Sequence, residues 1–236
     1  MTDIPALQLA IAFIPVAITL AIFFKWSLGV GNALYAVARM LIQLLLIGYV
    51  LAYIFGAEDA GLIVLVLSVM LVASSWIALG AVQEQRKQLF FRVLLSITIG
   101  GGLTLVLITQ WVLELQPWYL PRYMVPLAGM IFANAMTAVS LAAERLNAEL
   151  AHKLQWQEAR VIAFQAAMIP VINSLFAVGL VSLPGMMTGQ ILSGVSPMIA
   201  ARYQIIVMCM IFSSAGISTA IFLALGRPSA DKRAIV

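Results

Sequence analysis

The side chains able to do chemistry in this 236-residue chain are mostly neutral and scattered through apolar runs. Amides and hydroxyls stand within such runs at Gln43, Ser74, Ser75, Gln110, Asn134, Gln165, Asn173 and Gln190, with Arg39 the one cation among them. In an apolar medium these groups either bind helices together or line a polar path. Asn134 and Asn173 are candidates for a path because each falls near the middle of a predicted helix, and Gln190 joins them. Met186 and Met187 are added because thioether sulfur suits soft metals such as Cu(I), although Met also packs well between helices. Other chemistry lacks its parts. No GxxxxGK[ST] phosphate loop occurs, and Gly100-Gly101-Gly102 lies inside an apolar run, where small residues serve close helix packing better than a hinge. With a single histidine (His152) and a single cysteine (Cys209), the chain cannot supply the four nitrogen and sulfur ligands of a structural zinc site. All nine carboxylates fall in loops, at helix ends or in the tails. Proton-coupled carriers usually place such groups within the membrane, so that mechanism is disfavoured. No constellation for catalysis is present, and none for a cofactor bound by this chain.

The elements that must position these groups follow from composition. Hydrophobic residues make up 64% of the chain and charged residues 9%, against roughly 25% charged in soluble domains. A water-soluble fold cannot hide this much apolar surface, so the expected class is an all-α polytopic membrane protein in one transmembrane domain, residues 1–236. Period-two alternation, the mark of a membrane barrel, is absent, and helices satisfy their own backbone in lipid. Ile4–Phe24 has only Asp3 as a charge before it, lacks the positive leader of a signal peptide and reads as a retained helix.

The apolar runs predict seven spans, at about Pro5–Phe24, Ala33–Phe55, Gly61–Gly80, Val93–Leu113, Tyr123–Ala143, Val161–Leu183 and Tyr203–Leu225. The uncharged run between Arg160 and Arg202 is about twice the length one crossing needs, and Pro184-Gly185 breaks it. Charge decides how often it crosses. With the N-terminus outside, Lys25, Arg86, Lys87, Arg92, Arg145, Lys153, Arg160, Arg227, Lys232 and Arg233 fall inside, and only Arg122 and Arg202 outside, together with Glu58, Asp59 and Glu114. This satisfies the bias of Lys and Arg towards the cytoplasm. The net charge of +4 is thus a topology signal, and nucleic-acid binding is a poor reading of it. Two crossings after Arg160 would turn the basic tail outward. The expected topology is N-out, C-in, with a non-spanning segment from Pro184 to about Ala201.

The largest cytoplasmic segment is Glu144–Arg160, ERLNAELAHKLQWQEAR. Mixed charge with Leu146, Leu150, Leu154 and Trp156 predicts a short amphipathic helix. By pattern it serves equally as a solvated connector or as a docking surface.

Three stretches carry a resemblance: VARMLIQLLLIGYVLAYIF (Val37–Phe55), VPLAGMIFANAMTAVSLAAERL (Val125–Leu146) and VGLVSLPGMMTGQILSGVSPMIAARYQI (Val178–Ile205). The chain resembles the FetB-type permeases, membrane subunits of a bacterial ABC exporter implicated in iron efflux, and related plant membrane proteins linked to aluminium tolerance. The resemblance implies a multi-pass permease of the bacterial inner membrane that exports metal ions such as iron. It implies two permeases paired with two separate ATP-binding subunits, with ATP held by the partner. It also implies ATPase docking through Glu144, Arg145, Glu149, Lys153, Glu158 and Arg160. Glu158-Ala159 is retained, whereas the Gly common a few residues beyond it is absent until Gly179, so the coupling segment is expected to be built differently here. The alternatives are an ATP-independent channel or carrier for a small solute or metal, and a scaffold that moves nothing.

Overall fold

The computed structural model describes residues 5–56 and 59–226. Glu58, Arg227, Lys232 and Arg233, placed above by charge, lie outside the described residues. The chain divides into two compact units, Met1–Ala57 and Glu58–Val236.

In the first unit, α1 (Ala6–Ile11) is followed by α2 (Ile14–Lys25), with Pro15 in the first turn of α2. Together they make one apolar stretch, Leu7–Lys25. After a turn at Ser27, α3 (Val30–Phe55) packs along α2. Its 26 residues reach about 39 Å, enough to cross a hydrocarbon core of about 30 Å. No side chain of α2 is buried.

The second unit is a helical bundle. Asp59 caps α4 (Ala60–Ala78) by accepting a hydrogen bond from the Gly61 N–H at 2.8 Å. The apolar stretch Ala60–Val112 holds 53 residues; as one rod it would be about 80 Å long, far beyond a bilayer. It folds back on itself instead. A 3₁₀ segment over Leu79–Gln85 contains a non-helical residue, Val82 (φ −124, ψ 55), and α5 (Arg86–Leu107) returns along α4. That hairpin makes two crossings, so the described helices provide seven spans. A π-helical turn, Ile108–Val112, ends α5.

The core forms around α6 (Pro121–Ala151), which packs on α4, α5, α7 and α9. Its buried face carries Ala128, Ala135, Ala138, Ala142 and Ala143, small residues that let neighbouring backbones approach. On α7 (Trp156–Ala177) the buried Ala159, Ala163 and Ala167, four apart, do the same. A tight turn follows α7, with Gly179 at φ +83 and its N–H donating to the Ser182 carbonyl. The eight-residue α8 (Gly185–Leu192) spans about 12 Å, too short to cross. Gly194 (φ +91) ends it, and α9 (Pro197–Leu225) runs back down the bundle.

Helix directions answer the crossing question. A β-carbon built on Gly226, at the end of α9, would lie 3.0 Å from Trp156 at the start of α7. Gln85 also donates to Asn147 at this end, at 3.2 Å. The helices α7 and α9 are therefore antiparallel, and 178–196 joins them at the opposite end without spanning, as charge sorting required. The end marked by Gln85, Asn147 and Trp156 carries Arg86, Lys87, Arg145, Lys153 and Arg160, and is the end that the bias of Lys and Arg expects on the cytoplasmic side.

Two expectations need correction. Glu144–Arg160 is not a separate amphipathic helix: Glu144–Ala151 are the last turns of α6 and Trp156–Arg160 the first turn of α7. Lys153 sits at φ +61 between them, with the Leu154 N–H bonded to the Glu149 carbonyl, a reversed turn that ends α6. The sixth span runs Trp156–Ala177, not to Leu183. In both cases apolarity marked the hydrocarbon, whereas hydrogen bonding and turn residues set the helix ends. Two glycines of the triplet, Gly100 and Gly101, pack closely as expected, whereas a β-carbon on Gly102 would meet open space. A β-carbon on Gly100 would meet the Ser218 backbone nitrogen at 2.6 Å, and one on Gly101 the Ile131 side chain at 3.1 Å.

Candidate functional site

Two parts of the second unit combine polar groups with an opening. The first is the cytoplasmic end. Glu144, Arg145, Lys153, Glu158 and Arg160 are exposed there. Glu149 is buried and paired with Arg145 one turn earlier. The same face includes residues that the sequence did not single out. Residues 80–85 of the 3₁₀ segment and Asn147 line a polar cavity of about 490 Å³. Arg86 anchors the segment by donating to the Trp76 carbonyl at 2.6 Å from Nη2 and 3.1 Å from Nε. Its guanidinium also lies 3.9 Å from the Trp76 ring centroid. The signal was the polar string QEQRKQ between two apolar runs, which had been read only for its charge.

The second part is a furrow along the seam of α7 and α9. At the outer end, a cavity of about 470 Å³ is lined by Leu175 on α7, Gly179 just after it, Met187 on α8, and Gln204, Met208 and Cys209 on α9, among others. Phe212 lines it too, and also the next cavity of about 570 Å³, which contains Gln165, Met168 and Ser213. Phe164 and Gln165 in turn line a third, of about 360 Å³, which ends at Arg160. The three cavities follow one another along the α7–α9 seam as a furrow from Gly179 to Arg160.

Of the candidates for a path, Met187 lines the furrow. Gln190 sits one turn further along α8, its Oε1 buried and accepting no hydrogen bond from the described residues. Met186 is half-buried on the same helix. Asn134, on α6, donates from Nδ2 to the Met130 carbonyl one turn back, at 2.8 Å, and lines none of the three cavities. Asn173 is exposed on α7 and lines none of them either. The residue that sequence reasoning missed is Gln204. It is 5% exposed, lines the outer cavity, and its Oε1 accepts no hydrogen bond from the described residues. The expected span Tyr203–Leu225 puts Gln204 at a helix end, whereas α9 begins at Pro197 and buries it about two turns inside. No group of three His, Cys, Asp or Glu residues converges on a metal position among the described residues.

Comparison with known proteins places the whole arrangement. A family model described as "Uncharacterised protein family (UPF0014)" matches residues 6–163 and 153–230. The chain is 36% identical over 234 residues to "Probable iron export permease protein FetB" of Escherichia coli (strain K12), covering 91% of this chain and 87% of that one. It is 32% identical over 245 residues to "UPF0014 membrane protein YjkA" of Bacillus subtilis (strain 168), covering 96% and 95%. It is 32% identical over 222 residues to "Protein ALUMINUM SENSITIVE 3" of Arabidopsis thaliana, covering 86% and 80%. No solved structure matches. The chain belongs to the UPF0014 family and is a multi-pass membrane protein.

Proposed function

We propose that this chain is the membrane permease of an ABC exporter of metal ions such as iron, working in the bacterial inner membrane. Two copies pair with ATP-binding subunits that hydrolyse ATP, and the bundle turns that work into alternating access. What carries this reading is similarity over nearly the whole chain to a relative named as a probable iron export permease. The arrangement of the bundle supports it. Its cytoplasmic end offers a partner an exposed, mixed-charge surface built from two segments distant in sequence, Leu79–Arg86 and Glu144–Arg160, joined by the Gln85–Asn147 hydrogen bond. A partner bound across both grips α5, α6 and α7 together, so its movement acts on the α7–α9 furrow, whose inner mouth is at Arg160. N-out, C-in topology follows from the same charge sorting.

The test is gentle-detergent purification of the tagged chain from its native membrane, followed by an ATPase assay. The expected result is co-elution of a subunit with Walker motifs whose ATPase activity rises with Fe(II). Elution alone, with no ATP hydrolysis and with metal flux from this chain by itself in vesicles, would replace this reading with an ATP-independent channel or carrier.

A further inference from the structure

We propose that the first half of α3 binds the phosphate of an anionic phospholipid, in the leaflet at which that helix begins, through the guanidinium of Arg39 with Tyr35 and Asn32 beside it. The site is independent of the export reading. The polar side chains in this half of α3 are Asn32, Tyr35, Arg39 and Gln43, three or four residues apart. At 3.6 residues per turn they fall within about 80° of arc. Each is exposed, whereas the half-buried Ala33, Val37 and Leu41 mark the packed face on nearly the opposite side. The same exposed face continues along the helix as Leu46 and Val50. It is polar where the helix starts and apolar further on, the order in which a phospholipid presents its headgroup and its chains.

Charge chooses the ligand class. Arg39 stays protonated in a protein, and within a span such a charge needs a counter-ion or water. Between Asp3 and Glu58 the sequence holds Lys25 and Arg39 and no carboxylate, and Arg39 pairs with none among the described residues. Depth points to the membrane interface as the source of the anion. The α-carbon of Arg39 is about 14 Å along α3 from Val30. Helical side chains lean towards the N-terminus of their helix, so the guanidinium reaches back past Tyr35. That carries it towards the level of Lys25 and the exposed Trp26, residue types that mark a membrane interface. Lipid phosphates lie at this level. A guanidinium meets two phosphate oxygens with parallel N–H bonds, and the Tyr35 hydroxyl and Asn32 amide are further donors on the same face. A zwitterionic lipid brings its own cation beside the phosphate, whereas an anionic lipid keeps its net attraction to Arg39 and Lys25.

The test is native mass spectrometry of the full chain, with any subunit that co-purifies, titrated with phosphatidylglycerol or with phosphatidylcholine of the same acyl chains. The expected result is one phosphatidylglycerol per chain, held at least tenfold more tightly than phosphatidylcholine. Arg39→Gln should erase that preference and Arg39→Lys should keep part of it. The paired change Asn32→Leu/Tyr35→Phe should lower it about threefold, and Arg122→Gln, on α6, should leave it unchanged. Thermal unfolding identifies any variant that loses its fold; if Arg39→Gln does, the paired change carries the test. Equal retention of the two lipids, the outcome if a protein carboxylate already neutralises Arg39, overturns the proposal. So does a preference that survives Arg39→Gln. Displacement of the lipid by excess glycerol phosphate would also overturn it, by assigning the site to a soluble oxyanion.

Discussion

Helix α9 takes part in two very different seams. Where it packs on α5 and α6 its Ser214, Ala215, Ser218 and Thr219 are fully buried, and Ser218 approaches α5 so closely that only glycine fits at position 100. Against α7 it presents Ile205, Met208 and Phe212, and the seam stays open as a furrow. The difference is one of side-chain size. In lipid, apolar side chains gain nothing by leaving solvent for a neighbour, so helices hold together through close packing, and small residues make it possible. Bulky, partly exposed residues cannot interdigitate in the same way and leave space. One seam therefore fixes the bundle, and the other has room to bind something or to move.

The comparison breaks most visibly at Gly100. Gly100→Val should cost about 3 kcal/mol or more, since the nearest obstacle is backbone rather than a flexible side chain. The readout is loss of monodisperse protein in fluorescence-detected size exclusion. The open seam should respond through function rather than fold. Reversing both charges at its mouth, Glu158→Lys with Arg160→Glu, should reduce ATP-driven metal export in vesicles to background while the protein still inserts and melts normally; unchanged export would remove these residues from the docking surface. A glycine in the open seam sharpens the contrast. A β-carbon at Gly216 would make ordinary contact with Met168, at 3.7 Å, so Gly216→Ala should shift stability by less than about 0.5 kcal/mol in thermal unfolding. The smallest effect is expected at Ser218, whose buried hydroxyl has no hydrogen-bond partner among the described residues. Ser218→Ala should be close to neutral, within about 0.3 kcal/mol, and clear destabilisation would mean that hydroxyl is bonded in the membrane.

Unit one differs from both seams. Its α2 buries no side chain, and its exposed residues, such as Phe24 and Tyr49, match what a lipid-facing or partner-facing helix displays. Composition announces such a helix readily, but says nothing about which of its faces is covered.

What the sequence by itself determined was the membrane class, the number of spans and the end of the bundle at which the basic residues gather. Each depends on one-dimensional quantities: the length of apolar runs against bilayer thickness, and the position of Lys and Arg relative to their ends. Even the non-spanning segment after Ala177 was legible, because a second crossing would have put Arg227 and its basic neighbours on the wrong side. Tertiary structure alone decided which polar groups meet. Asn134 looked like a path residue because it is amide and mid-helix, yet it bonds its own backbone. Gln204 looked like an end residue, yet it is buried beside a cavity. Gln85 and Asn147, 62 residues apart, share a hydrogen bond. The face a helical residue occupies depends on rotation about the helix axis, and that rotation is set by how neighbouring helices pack. In helices that are apolar nearly all round, sequence periodicity leaves it unspecified.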